Sequence, residues 1–189
     1  MSTKTAVDLS PKYRPVRRIV TGVNEEGRSI IVTDGDTPNV KLHETTPIVA
    51  QVVWATEDMP VAIGQYRDAA PADVAFKAPP GKNGTIFRIV DFPPDSMAQN
   101  SASQEAAKEI EESGHRATDA RHFLFHKTET IDYAIVLEGE IWALMDEGET
   151  LMKEGDVMVQ RATHHSWANR TEQFCRMAFV LIDARDVDG

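Results

Sequence analysis

Short apolar runs, rather than long helical stripes, set the rhythm of this chain. Arg18 to Val23 and Ser29 to Thr33 are β-rich runs separated by Asn24-Glu25-Glu26-Gly27. Asn and Gly tolerate the positive φ of a tight turn, so this spacing predicts a hairpin, closed by Asp34-Gly35-Asp36. Val49 to Thr56 predicts a third strand. Thr85 to Phe92 predicts another, stopped by Pro93-Pro94 because proline cannot donate to a ladder. Between them, residues 57–83 carry four prolines and two glycines and predict a long ordered loop. One helix is expected over Ser103 to Ser113. Ser101 and Gln104 form a capping box and Gly114 supplies the stop. Ile110 is its one large apolar residue, which predicts a solvated, peripheral element.

From Arg121 to Asp183 the pattern tightens. Strand-like runs recur between Gly, Asp and Glu turns: His122–His126, Asp132–Leu137, Glu140–Asp146, Thr150–Lys153, Asp156–Gln160, His164–Asn169 and Phe174–Ile182. Such a rhythm predicts an antiparallel barrel or sandwich. At 189 residues the chain is expected to form one domain. Residues 1–15 read as a loose arm, 16–117 as strands, loop and short helix packed on a barrel, and 118–183 as the barrel's core motifs.

Charge narrows the function classes. The chain has 30 acidic against 20 basic side chains, a formal charge of −10. That surface repels phosphate backbones and anionic lipids, so neither nucleic acid nor membrane is an expected partner. Cys175 is the single cysteine, which excludes an internal disulfide and a cysteine metal cluster. The N-terminal residues lack a secretory pattern, and no apolar run approaches the ~20 residues that span a bilayer. A cytoplasmic location is the resulting expectation.

Candidate chemistry follows from strand alternation. His122, Leu124, His126 and Thr128 would share one face, and His165, Trp167 and Asn169 another. A small barrel has room for packed side chains or one small ligand, so inward polar groups need a partner or a ligand. His126 and His165 could be hydrogen-bonded structural residues, metal ligands, or acid–base groups.

The spacing resembles the two motifs of the cupin superfamily. The first motif of that family reads His-x-His, then Glu, then Gly. Here the stretch is His126-x-Thr128, then Asp132, then Gly139. The second motif ends in Pro-x-Gly, two residues, His, three residues, Asn. Here Gly155 is followed by Arg161-Ala162-Thr163, His165 and Asn169, one residue short. The resemblance covers residues 118–183. It implies an all-β, jelly-roll-like barrel with an N-terminal strand extension and one peripheral helix. It also implies a divalent metal (Zn, Fe, Mn or Ni) on His126, His165 and Asp132, or a metal-free site where those ligands have degenerated. Thr128 replaces one family ligand and is a poor one.

Other residues carry two readings each. Asp132 could instead be a structural carboxylate. Arg161 could clamp an anionic substrate or pair on the surface. Tyr133 and Trp142 could pack, or Tyr133 could donate its hydroxyl to a substrate. His122 is expected at the barrel mouth and His164 outside. His43 and His115 carry no signal, and Cys175 reads as a small buried hydrophobe. No Ser-His-Asp signature, phosphate loop or dinucleotide fingerprint is present. The expected function is a small-molecule enzyme acting on an organic acid or oxygenated ring compound, as a decarboxylase, isomerase, cyclase or oxygenase. The alternatives are a non-catalytic ligand-binding module and a structural cupin with a vestigial site. A homodimer is expected, with the N-terminal hairpin covering the partner.

Overall fold

A computed structural model of the chain describes residues 14–42, 47–75, 79–98 and 121–185. The helix expected at Ser103–Ser113, most of the N-terminal arm, His43 and His115 lie outside the described residues.

Among the described residues, eleven strands and one short helix follow in order: β1 (Arg17–Val23), β2 (Ser29–Asp36), β3 (Asn39–Leu42), β4 (Val49–Thr56), β5 (Thr85–Phe92), α1 (Asp95–Ala98), β6 (Thr130–Glu138), β7 (Glu140–Met145), β8 (Glu149–Lys153), β9 (Val157–Arg161), β10 (His165–Ala168) and β11 (Cys175–Asp183). A six-stranded sheet, ordered β3-β4-β5-β11-β6-β9, packs on a three-stranded sheet ordered β10-β7-β8. The ladders do not close into a ring. β1 and β2 form a separate hairpin, closed by Asn24 and by Gly27 at φ 72°.

One apolar core joins the two large sheets. Ile86, Val90 and Phe92 of β5, Met177, Phe179 and Leu181 of β11, and Ala134 and Val136 of β6 face Ile141, Ala143, Met152 and Trp167. The period-two spacing of these residues places Arg88, Asp132 and Gln160 on the same inward face. The motif boundary at residue 118 is not a sheet boundary, because β3, β4 and β5 complete the same sheet as β11, β6 and β9.

The sequence expectation fails at His122–His126. These residues form a turn, closed by the Phe125 N–H donating to the His122 carbonyl at 3.0 Å, and just one bridge ties His126 to His165. β3 and α1 were not expected, being four residues each.

The opposite face of the six-stranded sheet carries a closed polar cluster where the chain enters the hairpin. Asp91, 2% exposed, accepts two hydrogen bonds from Arg176 at 2.7 Å and one from Arg14 at 3.2 Å. Arg176 also donates to the Arg14 carbonyl, and Arg14 to Glu138. Gln51, fully buried, accepts from the Val16 N–H at 2.9 Å and donates to the Arg14 carbonyl at 3.0 Å. Arg18 is paired with Asp68 by two bonds. These contacts hold the base of the hairpin on its own sheet, while Ile19, Val23 and Ile31 stay exposed farther along it.

Candidate functional site

The interior site begins with a backbone exchange. His126 and His165 donate N–H to each other's carbonyl at 2.9 Å in both directions. This pairing sets the two rings side by side and tilted, with centroids 4.3 Å apart and planes at 53°. Each ring is then fixed by its own neighbourhood. His126 Nδ1 lies 2.6 Å from the Leu124 carbonyl, and His165 Nδ1 lies 3.0 Å from the Thr163 carbonyl. A carbonyl only accepts, so Nδ1 carries the hydrogen in both rings and Nε2 is the basic nitrogen.

Gln160 completes the arrangement. Its amide nitrogen lies 3.1 Å from His165 Nε2 and 3.2 Å from Asp132 Oδ2. The two amide hydrogens therefore point one to the imidazole and one to the carboxylate. Gln160 Oε1 and Asp132 Oδ1 are buried without a hydrogen-bond partner. His165 is 3% exposed, and burial, reinforced by nearby His126, holds its pKa down at about 3. It is a neutral acceptor at ordinary pH. Burial pushes the Asp132 carboxyl up, opposed by a hydrogen bond from Thr130 and by the charge of Arg88.

Arg88 projects from β5 into the same interior. Its guanidinium carbon stands 5.7 Å from the Phe179 ring centroid, and its Nε is buried without a partner. Burial lowers its pKa, and Asp132 acts in the opposite sense. Trp167 adds an aromatic wall, with its ring 6.1 Å from that of His165 and 5.5 Å from that of Phe179.

Several expected members are elsewhere. Arg161 and Tyr133 lie on the outer faces of β9 and β6, Arg161 exposed and Tyr133 42% exposed. Gln160 and Asp132 are cross-strand partners that face inward, so their neighbours Arg161 and Tyr133 must face out. Asn169 lies past the end of β10 and ties the loop, donating to the Phe92 and Gln173 carbonyls. His164 is outward as expected, 3.0 Å from Asp146.

His122 is not at an open mouth. Its side chain is 11% exposed, with Nδ1 2.7 Å from Ser166 Oγ and Nε2 3.4 Å from Asp95 Oδ2. The Leu124 N–H also points to Nδ1, so the Ser166 hydroxyl donates to it. These three residue types have the composition of a nucleophile triad, but Ser166 is 0% exposed and no substrate can reach it. The group is a clamp joining the 121–124 turn, β10 and α1.

Sequence reasoning missed Arg88 and Gln160. The available signal was a polar residue in the inward phase of an otherwise apolar strand: Ile86-x-Arg88-x-Val90, and Met158-x-Gln160.

Two packed antiparallel β-sheets around an interior polar site define a jelly-roll-like class of protein. No family model matches the chain. Among curated proteins it is similar to phomopsin biosynthesis cluster protein C' of Diaporthe leptostromiformis, with 31% identity covering 95% of this chain and 86% of the relative. It is also similar to the cupin-domain-containing oxidoreductase srdD of Neurospora crassa, with 30% identity covering 94% of this chain and 80% of the relative. A Cupin 2 conserved barrel domain protein from Salinispora arenicola aligns at 16% identity and TM-score 0.40, covering 77% of this chain and 82% of that structure. The chain belongs to the cupin superfamily.

The metal that this family implies can be tested on the donor set. Of the two imidazoles, His165 has its Nε2 already taken by the Gln160 amide. The remaining positions are poor: Thr128 is buried and bonded to Thr130 at 2.8 Å, and Asp132 has Oδ2 engaged by Gln160, leaving Oδ1. Among the described residues no three His, Cys, Asp or Glu side chains converge. The amide nitrogen of Gln160 lies between His165 and Asp132, where it supplies hydrogens to both groups. This set does not fit a three-ligand centre.

Proposed function

We propose that this chain is a cupin-fold enzyme of oxidoreductase type, acting on a small organic acid or oxygenated ring compound held against His126 and His165. The observation that carries the reading is the apposed pair of rings, both with Nδ1 bonded to backbone and both directing basic nitrogens away from it. Relatives named cupin-domain-containing oxidoreductases support the reaction class. His165, neutral and oriented by Gln160, accepts a hydrogen bond from the ligand or from that amide. His126, half-buried, is the ring placed to exchange a proton with a bound molecule.

Incubating the protein with hydroxy-acids, oxo-acids and phenols in the presence of dioxygen or an added soluble electron acceptor or donor, followed by mass spectrometry, tests this. Turnover should fall about a hundredfold or more in His126→Ala and His165→Ala, the usual size of a lost acid–base group. Unchanged turnover in both variants would overturn it. One observation favours a non-catalytic ligand-binding role instead: Gln160 already satisfies His165. Saturable binding without turnover of any bound compound would select that role. Within the same reading the chain is a homodimer whose partner covers Ile19, Val23 and Ile31. Light scattering at micromolar concentration should give twice the chain mass, and a monomeric mass removes the dimer.

A further inference from the structure

We propose that Arg88 is the anion-binding residue of the interior site, and that the ligand presents a carboxylate to it. This deepens the reading above and rests on it. Arg88 occupies an inward position of β5, between Ile86 and Val90, which are both in the core. A guanidinium offers five N–H donors and carries a permanent charge, so an interior position demands acceptors. The structure provides none among the described residues. Among the described residues no side-chain hydrogen bond and no ion pair reaches the Arg88 guanidinium, which stands over the Phe179 ring.

The internal carboxylate Asp132 acts on Arg88 through charge, but no hydrogen bond or ion pair joins the two. Arg88 is the cross-strand partner of Phe179, which is the partner of Ala134, and Asp132 lies two residues along β6 from Ala134. Strand spacing puts the Cα atoms of Arg88 and Asp132 roughly 12 Å apart. Asp132 is turned toward Gln160 by its hydrogen bond. Compare Arg14, Arg18 and Arg176, each of which has a carboxylate within 3.2 Å. Arg88 alone of these buried or half-buried arginines lacks one. Its guanidinium carbon lies 5.7 Å from the Phe179 ring, only Nε of the group is both buried and unmatched, and its charge is felt at His165. A planar carboxylate matches that fork in shape and charge, and an apolar or aromatic body on the same molecule would lie along Phe179 and Trp167.

The test uses the full chain and matched probes: benzoate, salicylate and lactate, each against its uncharged amide, by calorimetry and thermal shift. At least one carboxylate should bind saturably and about tenfold or more tighter than its amide. Arg88→Met should erase that preference, and Arg88→Lys should keep part of it by retaining the charge without the fork. Arg161→Ala should leave it intact, since Arg161 faces outward. Thermal melts of Arg88→Met and Arg88→Lys establish that both are folded. The assignment is overturned if Arg88→Met binds the carboxylate as well as the wild type, or if no carboxylate outcompetes its amide. Loss of binding in His126→Ala with Arg88→Met unaffected would keep the histidine site and remove Arg88 from it. The reverse would keep an anion site and remove the histidine reading.

Discussion

Two polar regions lie on opposite faces of the six-stranded sheet, and they are built to different standards. On the outer face Asp91 and Gln51 are matched by Arg14, Arg176 and Val16, and Arg18 Nε is the one unmatched buried side-chain atom of that cluster among the described residues. On the inner face Arg88 Nε, Asp132 Oδ1 and Gln160 Oε1 are all shielded and unmatched. A buried polar atom without a partner costs about 1–3 kcal/mol, more where it is charged. The outer cluster stabilises the fold by making the chain's entry into the sheet unique. The inner cluster costs stability, and such a cost is found where groups are reserved for a ligand.

The sharpest way to break this comparison is at Asp91. Asp91→Ala strands Arg176 at a nearly closed position and should cost about 3–5 kcal/mol, read from urea unfolding. A loss below ~1 kcal/mol would put the outer cluster on the same footing as a surface ion pair.

The next effect is on acid stability. The unfolded chain protonates His165 near 6.5 and the folded chain near about 3. Between these values the unfolded state holds more protons, so stability present above pH 6.5 is lost as pH falls toward 3. Asp132, whose pKa is raised, works in the opposite sense and reduces the slope. His165→Asn should flatten stability against pH in this window. An unchanged slope would show that other groups set it.

A smaller effect is expected at the His122 clamp. Ser166→Ala should destabilise by about 1 kcal/mol, the worth of one hydrogen bond, with little change in ligand binding. A collapse of turnover with normal stability would give Ser166 a chemical role instead.

The smallest change should come from Arg88→Met. Removing an unmatched charge from the interior is expected to leave stability unchanged or raise it by less than about 1 kcal/mol while ligand binding is lost. A loss above ~2 kcal/mol would mean that Arg88 is structural and would blur the contrast between the two faces.

How much of this could be read in the sequence depends on parity. Val49–Thr56 and Thr85–Phe92 were placed with the boundaries that the structure shows, because continuous apolar runs end at Pro93-Pro94 and in the proline-rich loop. The strands after residue 130 differ from expectation by one or two residues. His126 and His165 were legible from motif spacing, and the structure brings them together. The rest was lost where a face assignment depended on register. Asp132 pairs with Gln160, not with Arg161, and a one-residue difference exchanges inside for outside. Arg161 and Tyr133 were therefore expected within the site, and Gln160 was overlooked. Arg88 was missed because an arginine in a strand is ordinarily taken as an edge or surface residue, and nothing local marks its lack of a counter-ion.

Cys175 illustrates the chemical consequence of depth. It is fully enclosed, and burial pushes its thiol up to about 12. With one such residue in the chain, alkylation becomes a clock for global opening: the native protein should resist iodoacetamide, and the labelling rate should report how often β11 is exposed, without any engineered reporter.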